Sequence, residues 1–342
     1  MKQRRTLKIL GFIFLVFLVW VSWTQGAEKN TVIKIATLAP DGSTWVKGFN
    51  QLNAEVMKKT ENKVQFKIYA GGILGDERDM LRKMKIGQIQ GAAITSAGLS
   101  SLFNEIDVLQ IPFLFQTYEE IDAVLAKMDL FFRKGLEDRG YTFLGWSEGG
   151  FIYLMSTTPI LTAGDLKKVK VWIWEESPMP KAILDEAGVS AIPLSIPDVL
   201  VALQTGLVDT VYTPPTGAIS LQWFTRVKYM TNVPLSYLAG GIIINNDVFR
   251  QIPQATQSTI HESFGAYSNQ LKNMTRKENQ EAIQVMMKHG VKVVTPSKEQ
   301  IEEFKKLSQK AMARYQGPQT FSKKVLDEVS LILENHRKGG KP

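Results

Sequence analysis

The sequence predicts an α/β fold in two domains, and three observations predict it. Short apolar, strand-like runs alternate with amphipathic helical runs along most of the chain, which implies helices packed on a largely parallel sheet. The 342 residues, even without an N-terminal export segment, exceed what one hydrophobic core usually supports. A helical pattern also runs from Pro253 to His289 with no internal proline and one interior glycine, Gly265, well beyond the ~8 to 20 residues of an ordinary globular helix.

Lys2, Arg4, Arg5 and Lys8 precede an apolar run from Ile9 to Trp23, and small residues follow in Thr24 to Ala27. This is the pattern of a cleavable signal peptide over residues 1–27 and predicts a periplasmic mature chain. The run is shorter than the ~18 apolar residues of a spanning helix, with a retained N-terminal anchor as the alternative. Thr31 to Thr37 alternates as a strand, and the turn-forming LAPDGST leads into a helix from Trp45 to Thr60. Val64 to Tyr69 is a second strand. Glu77 to Ile86 is a helix that Gly87 can close in the left-handed conformation. Ala92 to Thr95 is a short buried strand. Thr117 and Glu120 have capping-box spacing before a helix whose Ile121, Val124, Leu125 and Met128 share one face. After the long helix, Gly290 is the stop, Val291 to Val294 a strand, and Ser297 with Gln300 the cap of a further helix. A polar tail follows Arg337.

Two glycine pairs, Gly149-Gly150 and Gly240-Gly241, each precede an apolar strand. Glycine permits backbone turns that other residues resist, so the pairs are candidates for flexible crossings between domains, with ordinary tight turns as the alternative.

Composition excludes several classes of function. The chain has no cysteine, so it has no lipid-anchored cysteine, disulfide framework, thiolate metal site or cysteine nucleophile. Residues 1–27 hold four basic and no acidic residues, so their removal lowers the formal charge from +8 to +4. A surplus that small, without a basic stripe, argues against nucleic acid. His261, His289 and His336 are the three histidines and lack metal-ligand spacing, and no serine sits in a G-x-S-x-G elbow. GGILG lacks the lysine and hydroxyl of a phosphate-binding loop, and Asp76 and Glu77 would repel an anion at that helix start. No cofactor or metal site is indicated.

Several motifs occur in one order: YAGGILGDE at 69–77, IPFLF at 111–115, DLKKVKV at 165–171, ALQTGLVD at 202–209 with a proline-ended strand, and the long helical segment. In order and spacing they resemble the substrate-binding proteins of tripartite ATP-independent periplasmic (TRAP) transporters, DctP type. The resemblance covers almost the whole mature chain. It implies the periplasmic-binding-protein fold: two α/β lobes with a hinge and a long helix spanning both, with a small-molecule ligand closed between them and delivered to TRAP membrane permease subunits. On that basis lobe I is expected over 28–149 and 238–275, and lobe II over 150–237 and 276–342.

The resemblance also exposes a departure. The strand after the DLKG-like turn normally carries an arginine that clamps the ligand's carboxylate, and Trp172 stands there. Other polar anchors of acid-binding members fall at Ile152, Thr95 and Thr213, all uncharged. From Val169 to Trp174, two-residue alternation puts Val169, Val171 and Ile173 on one face and Lys170, Trp172 and Trp174 on the other. If the valine face packs on helices, the tryptophan face looks into the cleft; burial of both faces is the alternative. Trp146, Phe151, Tyr153, Tyr212 and Trp223 could extend an aromatic surface, although Trp223 also suits a core position. The expected ligand contacts are therefore Trp172, Trp174, Thr95, Phe151, Ile152, Tyr153, Tyr212, Thr213 and Lys170.

An enclosed carboxylate without a cationic or hydrogen-bonding partner costs several kcal/mol, roughly, which a guanidinium fork would offset. The expected ligand is therefore bulky and largely apolar or neutral. A cation against aromatic faces also fits, as does a carboxylated hydrophobe met by Lys170 or Arg226 from another direction. Coupling to a sensor or another periplasmic protein in place of a permease is a second reading, and a periplasmic hydrolase a third.

Overall fold

The computed structural model describes residues 30–175, 177–315 and 320–339. The signal peptide expected over residues 1–27 lies outside them. Among the described residues no helix is long and apolar enough to cross a membrane.

The described residues form ten strands: β1 (Thr31–Thr37), β2 (Val64–Tyr69), β3 (Gly91–Thr95), β4 (Tyr141–Ser156), β5 (Trp172–Trp174), β6 (Ile192–Leu194), β7 (Thr210–Thr213), β8 (Tyr229–Thr231), β9 (Ser236–Asn245) and β10 (Lys292–Val294). Eight of them form one sheet in the order β10-β8-β4-β9-β3-β1-β2, with β7 also on β4, while β5 and β6 make a separate parallel pair. The sheet is mixed, not largely parallel. β1 pairs in parallel with β2 and β3, but β3 meets β9 antiparallel, and β4 runs antiparallel to β9, β7 and β8. The two α/β lobes follow from this layout. From Tyr141 to Ile152 β4 pairs with β9, and its last four residues, Tyr153 to Ser156, pair with β7.

Neither glycine pair makes a turn. Both lie inside strands of the β4–β9 ladder, offset from one another, with Ser147 opposite Gly240, Trp146 opposite Gly241, Leu238 opposite Gly150, and an irregularity between Glu148 and Gly150. Close approach explains them. Gly150 has φ +102, and a Cβ there would run into the Asn279 amide, while a Cβ on Gly240 would come within 2.8 Å of the Ile94 carbonyl oxygen. The alternation that precedes each pair in the sequence is the same strand continuing.

The helices at 44–59, 77–85 and 118–137 match their sequence signatures. Thr117 accepts the Glu120 N–H, while the Glu120 carboxylate turns back to the Gln116 N–H and pairs with Arg337. Ser297 and Gln300 form a complete capping box. The long helix spans Gln254–Lys288, 35 residues. Its N-terminal half buries Ile260, Phe264, Tyr267 and Leu271 against Phe49 and Phe66 of the first lobe. Its C-terminal half buries Met286 among Trp172, Trp223 and Met230 of the second. The last helix, Lys323–Gly339, returns to the helix Tyr118–Glu137 and shares its core through Val325, Val329, Ile332 and Leu333.

At Gly150, Gly150→Ala adds a side chain at a positive φ and against Asn279, and should cost roughly 2 to 4 kcal/mol. Gly265 lies inside the long helix, and a methyl added there would meet nothing within 4 Å, so Gly265→Ala should instead stabilise by about 0.5 to 1 kcal/mol. Urea denaturation of both variants checks the opposite signs.

Asp107 accepts hydrogen bonds from the Tyr315 hydroxyl at 2.9 Å and the Gln110 amide at 2.6 Å, which tie the 3₁₀ segment Asn104–Gln110 to the end of the helix Lys298–Arg314. Burial raises its pKa from 3.8 to about 6, against those bonds. The folded chain thus keeps this proton to a higher pH than the unfolded chain, so the group lowers stability as pH rises from about 4 to 6 and adds nothing further above. Relative to Asp107→Asn, the wild type should lose up to roughly 3 kcal/mol over that window. Parallel stability curves for the two proteins would refute it.

Candidate functional site

A cavity of about 530 Å³ opens where the lobes meet. One wall is the loop after β1, from Leu38 to Trp45, together with Thr95 at the end of β3. The opposite wall is Trp172 and Trp174 of β5, Tyr212 and Thr213 of β7, and Trp223. Glu148, Gly149 and Ile152 of β4 and Leu238 of β9 form the floor. The long helix closes the side with Leu271, Thr275, Glu278, Ala282 and Val285, a spacing of three and four residues that keeps one face toward the cavity.

The structure brings Trp172, Trp174, Thr95, Ile152, Tyr212 and Thr213 to this cavity. It does not bring Phe151, Tyr153 or Lys170. Phe151 lies on the other side of β4 from Ile152, packed on Tyr118 at 5.0 Å and Tyr237 at 5.9 Å. Tyr153 has the same parity and packs against two core clusters. Lys170 stands before β5 begins, exposed, with its ammonium on the Gly206 carbonyl oxygen at 2.9 Å and its backbone N–H on Asp209. Among the other aromatics, Trp146 is fastened to Asp129 away from the cavity, whereas Trp223 lines it. Arg226 is exposed and outside the lining.

Both tryptophans are 5% exposed or less, and both faces of β5 are buried, with Val171 and Ile173 in a separate cluster behind. Trp172 stacks on Tyr212 at 5.0 Å and 26°, and meets Trp223 edge-on at 5.1 Å. Its indole N–H, a candidate donor to ligand on sequence grounds, is already committed to the Leu194 carbonyl oxygen at 3.0 Å, which ties β5 to β6. The Trp174 N–H is likewise taken, by Asp76 at 2.9 Å. Both side chains therefore offer the ligand apolar surface and not a donor. Tyr212 accepts the Trp174 backbone N–H at 3.2 Å. Burial raises its pKa well above the usual tyrosine value, so the hydroxyl stays protonated.

Sequence reasoning missed Asp76. One oxygen of this carboxylate caps the helix Glu77–Lys85 through the Glu77 N–H at 2.8 Å. The other reaches across the cleft to the Trp174 indole and to the Ile196 N–H at 3.1 Å. The glycine-rich turn that carries it is thus a cross-cleft anchor. Beside it, Glu77 accepts both the N–H and the hydroxyl of Thr95, at 2.7 and 3.0 Å, so Thr95 too is held from below.

The charge at the cavity is one-sided. Among the described residues that line it, none is lysine, arginine or histidine, while Glu148, Glu278 and Glu281 are present. Arg276 sits nearby on the long helix, but its guanidinium is spent on Asp122 at 2.8 Å and Glu148 at 2.9 Å and lies over the Tyr118 ring at 4.4 Å. Burial alone would lower its pKa, yet the bonds to Asp122 and Glu148 outweigh that and hold it firmly charged.

A ligand-sized cavity between two α/β lobes, bounded by crossing strands and one shared helix, is the architecture of a solute receptor. Residues 35–318 match the bacterial extracellular solute-binding proteins, family 7, DctP. The chain belongs to this family. It is 24% identical over 264 residues to the C4-dicarboxylate-binding periplasmic protein DctP of Rhodobacter capsulatus, covering 76% of this chain and 78% of that one. It is 25% identical over 251 residues to the 2,3-diketo-L-gulonate-binding periplasmic protein YiaO of Escherichia coli, covering 73% and 75%. Among solved structures, the fold resembles a TRAP periplasmic solute-binding protein from Xanthobacter autotrophicus Py2 with bound β-D-galacturonate, with TM-score 0.81, 21% identity, and 88% and 99% of the two chains covered. A TRAP protein from Sulfurospirillum deleyianum with bound succinate gives TM-score 0.81 at 18% identity, covering 89% and 99%.

Asp76→Ala removes a helix cap and leaves the buried Trp174 indole and Ile196 N–H without their acceptor, so it should cost roughly 2 to 4 kcal/mol. Ser297→Ala, which removes a cap alone, should cost about 1 kcal/mol. Equal losses on thermal denaturation would mean that the cross-cleft bonds contribute nothing.

Proposed function

We propose that this chain is the periplasmic receptor of a TRAP-type transporter, and that it captures a bulky, largely apolar or neutral solute between its lobes and presents it to membrane permease subunits. The observation that carries the ligand class is the lining of the cleft: tryptophan and tyrosine faces, three glutamates, and no basic side chain among the described residues. Galacturonate and succinate are acids bound by similar proteins. Here such an acid would meet Glu148 in place of a cation, and a buried carboxylate without a partner is disfavoured by several kcal/mol, roughly. Apolar contact suffices instead. At ~25 cal/mol per Å², burial of roughly 300 Å² of ligand surface contributes about 7 kcal/mol before association costs. The Tyr212 hydroxyl is the donor best placed to orient a neutral acceptor, and the glutamates favour a ligand that carries an amine over one that carries an acid.

The lobes in this reading are 28–149 with 238–275, and 150–237 with 276–342, with the last helix resting on the first lobe. Export across the inner membrane is assigned to residues 1–27. Coupling to a sensor and hydrolysis, the other readings of the sequence, find no support in the named relatives, which are binding proteins.

Calorimetric titration with succinate and galacturonate should give no binding heat, and native mass spectrometry of protein taken from periplasm should show an uncharged or cationic small molecule bearing an aromatic or branched apolar group. Trp172→Ala should weaken binding of that molecule by about 1 to 3 kcal/mol. Closure should reduce the radius of gyration in small-angle scattering when the ligand is added. Tight succinate binding by the unmodified chain would overturn the ligand class.

A further inference from the structure

Behind the Trp174 side of the cleft lies a second cavity, of about 140 Å³. Its lining comes from the same face of β4 and β9 further along the strands, through Leu154 and Ser236, and from the helices Pro178–Glu186 and Lys298–Arg314. Leu154, Leu166, Val171, Leu184 and Phe304 are all buried there, and no charged side chain is among its described lining residues. Four side chains, Ile152, Trp174, Tyr212 and Leu238, border both this cavity and the cleft. The two spaces are therefore separated by a partition one residue thick.

Protein cores are packed so closely that voids larger than a water are few. A volume of about 150 Å³ has room for benzene, so this pocket matches a single aromatic ring in size. The backbone at its edge is also unusual. Phe113 lines the cavity with φ 60, a conformation that a bulky side chain adopts only under constraint. Its N–H is held there by the Leu235 carbonyl oxygen at 2.7 Å. Strain retained beside a cavity is a common mark of a binding site.

We propose that this cavity is a second binding site, for an uncharged apolar group the size of one aromatic ring or a short branched alkyl chain. The group is the apolar end of the molecule held in the cleft, passing the partition at Ile152 and Leu238. Both sides of the partition are mainly apolar, with glutamates and hydroxyls added on the cleft side and Gln110, Ser177, Ser236 and Ser308, all uncharged, on the other, so a ligand that spans both is apolar where it crosses and carries any charge only in the cleft. The site itself does not depend on the cleft's ligand class, because its lining is complete without any cleft residue outside the partition.

The test uses the mature full-length chain, methyl-labelled at leucine and valine, with benzene as the probe. Benzene should saturably shift the methyls of Leu154, Leu166, Val171 and Leu184 and leave those of Leu38 and Leu271 in the cleft unmoved. Ser308→Leu and Leu307→Phe each place extra carbon in the second cavity and should weaken benzene binding by about tenfold or more. Two variants guard against one failing to fold. Shifts confined to Leu38 and Leu271, no saturable shift at the four methyls, or equal affinity in wild type and a folded variant would each overturn the site. A series from benzyl alcohol to 4-phenylbutanol then separates the sources of the ring. If it is the end of a cleft ligand, affinity climbs with chain length in the wild type but not in Ser308→Leu, and methyls of both cavities shift together. If affinity is flat and only the second cavity responds, the site stands as one for a free small molecule and the spanning arrangement is overturned. Succinate binding in the cleft would refute the ligand class proposed above and leave the benzene result untouched.

Discussion

Between Tyr141 and Ile152, β4 is hydrogen-bonded antiparallel to β9, and the strands and helix that meet at the floor of the cleft are fastened to that pair. β3 lies on β9 and brings Thr95, while β7 lies on the end of β4 and brings Tyr212 and Thr213. The long helix is pinned to the same place, since the Asn279 amide donates to the Gly149 carbonyl oxygen at 2.8 Å and its oxygen accepts the Thr216 N–H at 3.0 Å. Glycine at 149, 150, 240 and 241 is what lets helix, strand and strand come this close. A conformational change that separates the lobes bends the chain at these few residues, where β4, β9 and the long helix are held against one another.

The same crowding explains the electrostatics of the cleft. Arg276, one turn of helix from Asn279, is the cation nearest the floor of the cavity, and it is bound by two carboxylates and stacked on an aromatic ring. A buried guanidinium is tolerated only when its donors are satisfied, and here Asp122 and Glu148 satisfy them from within the protein. Its charge is therefore largely offset within the protein. Glu148, in turn, faces the cavity as an acceptor already engaged by Arg276, which limits how strongly it can attract a cation.

Strands, helices and caps were legible in the sequence because each is written locally. Thr31 to Thr37, Val64 to Tyr69, the Ser297 capping box and the span of the long helix depend on alternation, on period and on side chains within a turn of one another. What was not legible needed a partner distant in sequence. The glycine pairs look like turns until Asn279 and Ile94 are seen against them. Phe151, Ile152 and Tyr153 cannot all face one cavity, but which of them does is fixed by the irregularity at Glu148 to Gly150, and this resets the alternation. Lys170 shares the parity of the tryptophans yet lies ahead of the paired strand, where its backbone goes to Asp209. The helix face from Leu271 to Val285 was readable as a stripe, although nothing local says that it borders a cavity and not a core.

Asp76 shows the limit most clearly. At a helix start its carboxylate is a cap, and as a cap it excludes an anion from that terminus, which is as far as local reasoning reaches. In the fold its second oxygen collects the Trp174 indole and the Ile196 amide from the other lobe. This use depends on tryptophan at 174, just as the β5–β6 pair depends on the Trp172 indole reaching the Leu194 carbonyl oxygen. The two tryptophans thus do more than present an apolar surface. Their rings line the cleft while their indole N–H groups hold its wall together, so the side chains that border the site also fix its shape. A side chain at 172 without an indole N–H would lose the bond to the Leu194 carbonyl oxygen and the ring contacts with Tyr212 and Trp223, so position 172 is constrained by the packing of the wall as well as by whatever the cleft holds.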